Sequence, residues 1–341
     1  MNPNRGWTLL LLLLAWQPAL WAAPEIQSWQ TPNGAKVLFV EAPEIPMLDV
    51  QVIFDAGSAR DGDKPGLTSL TNGLLTEGAG AWNADQIAQR LEGVGAELGS
   101  GARRDMAWVS IRSLTEQPAL DTAVDTLAAI LSRPRFDPND LERLRQQMQV
   151  GLRRSEQNPG SVAKKAFYRQ VYGDHPYAVD SGGTEESLAA LSREDLVAAY
   201  QRYYVAANAL VAIVGAVDRV QAEGIAARLT ADLPRGEPAP RLPEVGELGG
   251  AVLHQRVFPS SQTHIFVGQP GMRRNDPDYF SLYVGNHILG GNGLVSQLSE
   301  EVRENRGLSY SVYSYFLPMR ELGPFMIGAQ TKNASAEEAL E

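Results

Sequence analysis

Imidazoles are scarce in this chain: His175, His254, His264 and His287 are its only histidines among 341 residues, and it contains no cysteine. A metal site built on imidazole needs two such side chains one helical turn apart or closely spaced in a loop. No two of the four stand at that separation. His254 and His264 fall near the strands expected to open the C-terminal part, His175 precedes Pro176 in a turn, and His287 sits inside an apolar helix. Each reads as a satisfied turn histidine or a half-buried one. Glu77, Glu92 and Glu97 are acids near the first helix, but carboxylates alone select zinc poorly. The missing cysteines exclude disulfides, thiolate zinc sites, cysteine nucleophiles and lipid attachment through cysteine. With 30 Lys+Arg against 40 Asp+Glu the formal charge is −10. A phosphate-neutralising face of a nucleic-acid-binding protein is therefore not expected.

The elements that must position these side chains follow from periodicity and punctuation. The composition, 44% apolar and 21% charged, is that of a globular protein, and the length allows about two domains. Residues 1–22 have the layout of a secretory signal peptide: Arg5, an apolar run centred on Leu9 to Leu14, then Ala22 and Ala23 at a cleavage site. That run of about ten residues falls short of the roughly twenty needed to span a bilayer. The expectation is an exported, periplasmic protein. Strands are predicted at Lys36 to Ala42, Asp49 to Ala56, Ala107 to Leu114 and Ala209 to Val214. Helices are predicted from Leu67 towards Gly78, over Asn83 to Val94, over Leu120 to Leu131, and from Asp137-Pro138 to just before Asn158-Pro159. Two or three more occupy Val162 to Tyr204. Residues 23–232 form a first half, and the proline-rich stretch 233–250 reads as a linker. Beyond it, residues 251–341 restart the pattern, with strands at Val252 to Phe258 and His264 to Gly268 and then a helix. Val52-Ile53-Phe54 aligns with His264-Ile265-Phe266, an internal repeat with an offset of about 212 to 214 residues.

Several stretches carry a likeness. They are Gly66-Leu67 opening a helix, His175-Pro176-Tyr177, Tyr204-Val205-Ala206-Ala207-Asn208 before a strand, Ile288-Leu289-Gly290-Gly291, and Arg306-Gly307-Leu308-Ser309-Tyr310. In order and spacing this set resembles the pitrilysin-type (inverzincin) zinc peptidases, the insulinase group that includes the mitochondrial processing peptidase. The resemblance runs from about Asn33 to about Lys332. It implies an α+β fold of two similar α/β roll halves, of which the second is incomplete here. Ala334 to Glu341 reads as the start of a helix, and the expectation is a fragment. Those peptidases bind zinc through H-x-x-E-H on the first helix, with the Glu as general base and a further Glu on a later helix. In this chain the matching positions are Ser69, Asn72 and Gly73, and the later one is Gly151. No catalytic zinc is expected. Gly73 and Gly151 each cost a helix about 1 kcal/mol relative to Ala. That argues for close packing or for a surface that receives something.

The resemblance also implies an Arg–Tyr pair that faces the zinc site from the other half or from a partner chain. Arg303 and Tyr310 have its spacing, on a helix expected over Leu294 to Glu304 and at the start of the next strand. Such a pair donates hydrogen bonds to a scissile carbonyl as it becomes an oxyanion. Gly290, Gly291 and Gly293 are candidates for a short substrate loop, with a helix C-cap and turn as the alternative. The function implied is a zinc-free, non-catalytic subunit of an exported two-chain peptidase. Its partner would carry the zinc, and extended peptide would be the substrate, bound partly by strand addition. The alternative is a structural or peptide-binding protein of the same fold with no part in proteolysis.

Overall fold

The computed structural model describes residues 25–341, so the signal-peptide segment lies outside the described residues. The strands are β1 (Gln27–Gln30), β2 (Lys36–Glu41), β3 (Met47–Phe54), a short hairpin of β4 (Gly78–Ala79) and β5 (Trp82–Asn83), β6 (Glu97–Ala102), β7 (Ala107–Leu114), β8 (Ala209–Gly215), β9 (Gln262–Pro270), β10 (Ser309–Phe316) and β11 (Pro324–Lys332). Six of them form one sheet in the order β1-β2-β8-β3-β7-β6, in which only the β2–β8 pairing is parallel. Alternation explains its two faces. Val50, Val52 and Phe54 of β3, Val109 and Ile111 of β7, and Val211 and Ile213 of β8 are buried beneath helices. The intervening residues line an open groove of about 410 Å³, where Asp49 and Arg112 form an exposed ion pair at 2.7 Å.

The helices are α1 (Leu67–Leu74), α2 (Ala84–Glu92), α3 (Ala119–Ser132), α4 (Pro138–Glu156), α5 (Pro159–Tyr172), α6 (Glu185–Ala190), α7 (Arg193–Tyr203), α8 (Arg219–Thr230) and α9 (Tyr279–Asn286). Most begin at local signals. Asn83 and Gln86 form a capping box on α2, as do Ser192 and Asp195 on α7 and Asp218 and Gln221 on α8. Asn158 ends the α4 connection and caps α5 by accepting from the Ser161 amide at 2.8 Å, with Pro159 in the first turn. Asn158-Pro159 is thus a start signal as well as a stop signal.

Strands β9, β11 and β10 form a second sheet in the order β10-β11-β9, which repeats the β6-β7-β3 pattern of the first. Its outer face is covered by α5. Phe167 lies 6.3 Å from Phe266, and Phe167, Tyr168, Val171 and Tyr172 share a buried cluster with Met319 and Met326. Polar contacts fasten the two units beside that cluster. The Tyr177 hydroxyl donates to Asp105 and accepts from the Glu321 amide at 3.1 Å, and the Arg320 amide donates to Asp105 at 2.7 Å. Arg320 also reaches Asp55 at 3.0 Å, the carboxylate already held by Arg60.

Three expectations need correction. The expected strand Val252 to Phe258 is exposed chain without a sheet partner, and Val257 is 93% accessible. Its apolar residues lack an alternating polar face. The expected helix Leu294 to Glu304 is broken into a 3₁₀ turn at Gly293–Val295 and a π-helical turn at Ser299–Asn305. The repeat register also shifts by one. Phe54 faces the helices, whereas Phe266 faces α5 on the opposite side of its sheet. Ile265 and Val267 therefore take the places of Val52 and Phe54, because a one-residue slip exchanges the faces of a strand.

Candidate functional site

Helix α1 begins without a side-chain cap of its own, because its N-cap residue is Gly66 in the left-handed region (φ 92°). A β-carbon at Gly66 would lie 2.8 Å from Leu188. Asp61 supplies the cap from the preceding loop. Its carboxylate accepts from the Gly66 amide at 2.9 Å, the Thr68 amide at 2.9 Å and the Thr68 hydroxyl at 2.6 Å. The group is buried, and desolvation outweighs those three bonds, raising its pKa from 3.8 to about 6.

Three of the four positions that the resemblance matches to the family's metal chemistry are occupied by structural contacts. The Ser69 hydroxyl donates to the Ser181 carbonyl at 2.7 Å. Asn72 is 1% exposed; it accepts from the Tyr204 hydroxyl at 3.0 Å and donates to the carbonyls of Gly101 at 2.9 Å and Trp108 at 3.3 Å. Gly73 faces Leu144 of α4, and a β-carbon there would lie 2.8 Å from a Leu144 methyl. Gly151 is different: it is exposed, with nothing within 4 Å of where a β-carbon would stand. Of the two alternatives expected for these glycines, close packing describes Gly73, whereas Gly151 sits further along α4 on its open side.

This set does not fit a zinc ion. Positions 69 and 73 carry no imidazole, the Asn72 amide is already engaged on both sides, and a leucine side chain fills the space beside Gly73. Among the described residues no three His, Cys, Asp or Glu side chains gather closely enough to hold a metal ion. His175 is engaged through both ring nitrogens, by the Tyr177 amide at 3.1 Å and the Pro243 carbonyl at 2.9 Å. Burial lowers the pKa of His264, which lies against Gly160. His254 lies in exposed chain, and exposed His287 stacks on Tyr283 at 6.5 Å.

In the second unit, Tyr310 stands at the start of β10 with 83% of its surface exposed. The Arg303 guanidinium lies 5.1 Å from its ring centroid and 3.3 Å from Glu304. The two side chains are therefore brought together, with the phenol free to donate. Neither is hydrogen-bonded to Ser69, Asn72, Gly73 or Gly151. Gly290 and Gly291 belong to a π-helical turn, His287–Gly291, and have packing reasons. β-Carbons there would meet Ser314 at 2.5 Å and Asn286 at 2.6 Å. Gly293, at φ 42°, faces open space. Sequence reading missed Asp61 and the Tyr204–Asn72 bond. The signal for Asp61 was an acid five residues ahead of an uncapped helix start.

A helix lying over a six-stranded sheet, with Ser69, Asn72 and Gly73 at the positions matched to a metal motif, and a second unit repeating the strand order define a zinc-peptidase-like α+β fold. Two family models match successive stretches of the chain: insulinase (peptidase family M16) over residues 36–185, and the peptidase M16 inactive domain over residues 190–341. The chain belongs to the M16, or insulinase, peptidase family. It is similar to a peptidase M16 inactive domain from Pseudomonas fluorescens, whose crystal structure superposes with a TM-score of 0.90 at 43% identity, covering 93% of this chain and 76% of that one. A protease structure from Helicobacter pylori shares the fold at 19% identity, with a TM-score of 0.83 over 93% of this chain and 79% of that one. An uncharacterised zinc protease of Mycobacterium leprae is 29% identical over 83% of this chain, which spans 64% of that protein's length. One of Rickettsia felis is 24% identical over 89% of this chain and 73% of its own length.

Proposed function

We propose that this chain is a non-catalytic subunit of a two-chain M16 peptidase. It would bind extended peptide and supply transition-state contacts to a zinc-bearing partner of the same family. The observation that carries this reading is the contrast between the two units. The positions matched to metal chemistry on α1 are consumed by packing, while Arg303 and Tyr310 stand paired, the phenol exposed and the guanidinium half-buried beside it. In the partner, zinc would polarise the scissile carbonyl and activate water. The contribution of this chain is positional. The Tyr310 phenol and the Arg303 guanidinium donate hydrogen bonds to the carbonyl oxygen as negative charge builds on it, and the cation–π contact holds the phenol beside the guanidinium. The free edge of β6 offers a template on which an extended peptide adds as a further strand. The N-terminal segment supports export, with the periplasm as the compartment.

The test is to mix the purified protein with M16 subunits bearing H-x-x-E-H that are produced by the same cell, and to measure peptide cleavage alone and together. Cleavage only in the mixture is expected, falling about a hundredfold with Tyr310→Phe or Arg303→Ala. A mixture that neither associates nor cleaves removes the proposal. It would leave the second reading, a structural protein of this fold. A chain of complex III from Candida albicans shares the fold at 20% identity with a TM-score of 0.74.

A further inference from the structure

Where the family carries a general base, this chain has a buried amide with a defined task. Tyr204 donates to the Asn72 Oδ1 at 3.0 Å, which turns the Nδ2 towards the sheet. That nitrogen donates to the carbonyls of Gly101 at 2.9 Å and Trp108 at 3.3 Å. Gly101 lies on β6, one edge of the six-stranded sheet, and Trp108 lies on β7, its only neighbour among the described residues. Gly99 and Gly101 allow β6 to lie close beneath the side chains of β7. A β-carbon at either would come within 2.7 Å of Ser110 or 2.4 Å of Trp108. An edge strand has a ladder on one side only, so its conformation depends on such ties more than that of an interior strand.

The second unit repeats the arrangement. Asn286, at the end of α9, donates from Nδ2 to the Ser314 carbonyl at 3.1 Å and accepts from the Ser314 hydroxyl at 2.7 Å. Ser314 lies on β10, again a free edge. The helix at the equivalent place in each unit thus fastens the exposed edge strand through an Asn amide.

We propose that Asn72, oriented by Tyr204, is a positioning residue that holds β6 in the conformation with which an extended peptide pairs. The inference rests on the peptide-binding reading above. A peptide that adds to an ordered edge orders only itself, whereas a frayed edge adds a second ordering cost to binding.

Two measurements on the full chain test this: hydrogen exchange at residues 97–102, and affinity for a fluorescein-labelled pool of random-sequence unfolded peptides. Asn72→Ala is expected to speed exchange at β6 about tenfold, leaving β1 and β2 unchanged, and to weaken peptide binding about tenfold. Asn72→Asp should be worse, because it sets a carboxylate oxygen against two carbonyls. Tyr204→Phe keeps the ring packed 4.7 Å from Phe54 and removes only the hydroxyl, so it remains informative if the Asn72 variants fold poorly. Leu229→Ala in α8, a helix packed against α3 and β2, controls for general destabilisation and should leave peptide affinity unchanged. Unchanged β6 exchange in the Asn72 and Tyr204 variants overturns the tie. So does a Leu229→Ala loss of affinity equal to theirs. Wild-type protein that binds none of the pool overturns the peptide-binding reading instead, a failure visible before any variant is made.

Discussion

Asp61 caps α1 at a cost, because its carboxylate is buried and its pKa is lifted to about 6 by desolvation. The folded state therefore holds that proton more tightly than the unfolded chain, whose value is 3.8. The resulting stabilisation is complete below about pH 4 and is lost as pH rises through about 6. Across that window the wild type should lose up to about 3 kcal/mol that Asp61→Asn does not lose. Denaturant melts of the two proteins at a series of pH values check this; parallel pH profiles would contradict it. At this scale the sequence shows which chemistry is missing, since positions 69 and 73 hold no imidazole and position 72 no carboxylate. It does not show what those residues do instead. The partner of Asn72 is Tyr204, 132 residues away, and no local spacing reports a bond of that kind.

Helix α4 makes the same point along one element. Gly73 of α1 and Gly151 of α4 carry equal helix propensity, so the sequence assigns them the same cost and the same explanation. Packing separates them, because Leu144 fills the space beside Gly73 and nothing approaches Gly151. Gly151→Ala should therefore stabilise the protein by about 0.5 to 1 kcal/mol. Gly73→Ala must displace the Leu144 methyl and should destabilise it by about 1 kcal/mol, despite the gain in propensity. Thermal unfolding of the two variants should thus shift in opposite directions. Elements with local punctuation were legible, including the boxed start of α2 and the Pro-led start of α4. The chain around Arg303 was not, because π-helical turns have no sequence period of their own.

Across the whole molecule, α5 joins the two units by covering the outer face of the second sheet with Phe167, Tyr168, Val171 and Tyr172. A β-carbon at Gly268 would lie 2.9 Å from the Phe167 ring, so strand and helix are in direct contact there. Phe167→Ala should cost about 3 kcal/mol. Exchange should rise in β9 and β11 before it rises in the six-stranded sheet, because the second unit has less buried apolar surface of its own. Uniform loss of protection in both sheets would show that they unfold as one. That there are two units, with a Pro-rich stretch and a restarted strand–helix pattern, was legible in the chain. The direction in which the repeat faces was not, since an alignment one residue out places Phe266 beneath helices rather than beneath α5.

The sequence by itself determined the α+β class, most element positions and the family likeness, and it shows Ser69, Asn72 and Gly73 where that likeness sets ligand-type residues. Each of those is written in neighbouring residues: a period, a cap, a motif, a residue type. Tertiary structure alone decided that Asn72 became a tie to an edge strand, that Leu144 closed the space beside Gly73, and that Gly151 stayed open. It also brought Arg303 beside an exposed Tyr310 and placed α5 across the second sheet. These outcomes depend on which distant side chain arrives at a shared volume. Close packing settles that question once the helices and sheets have met.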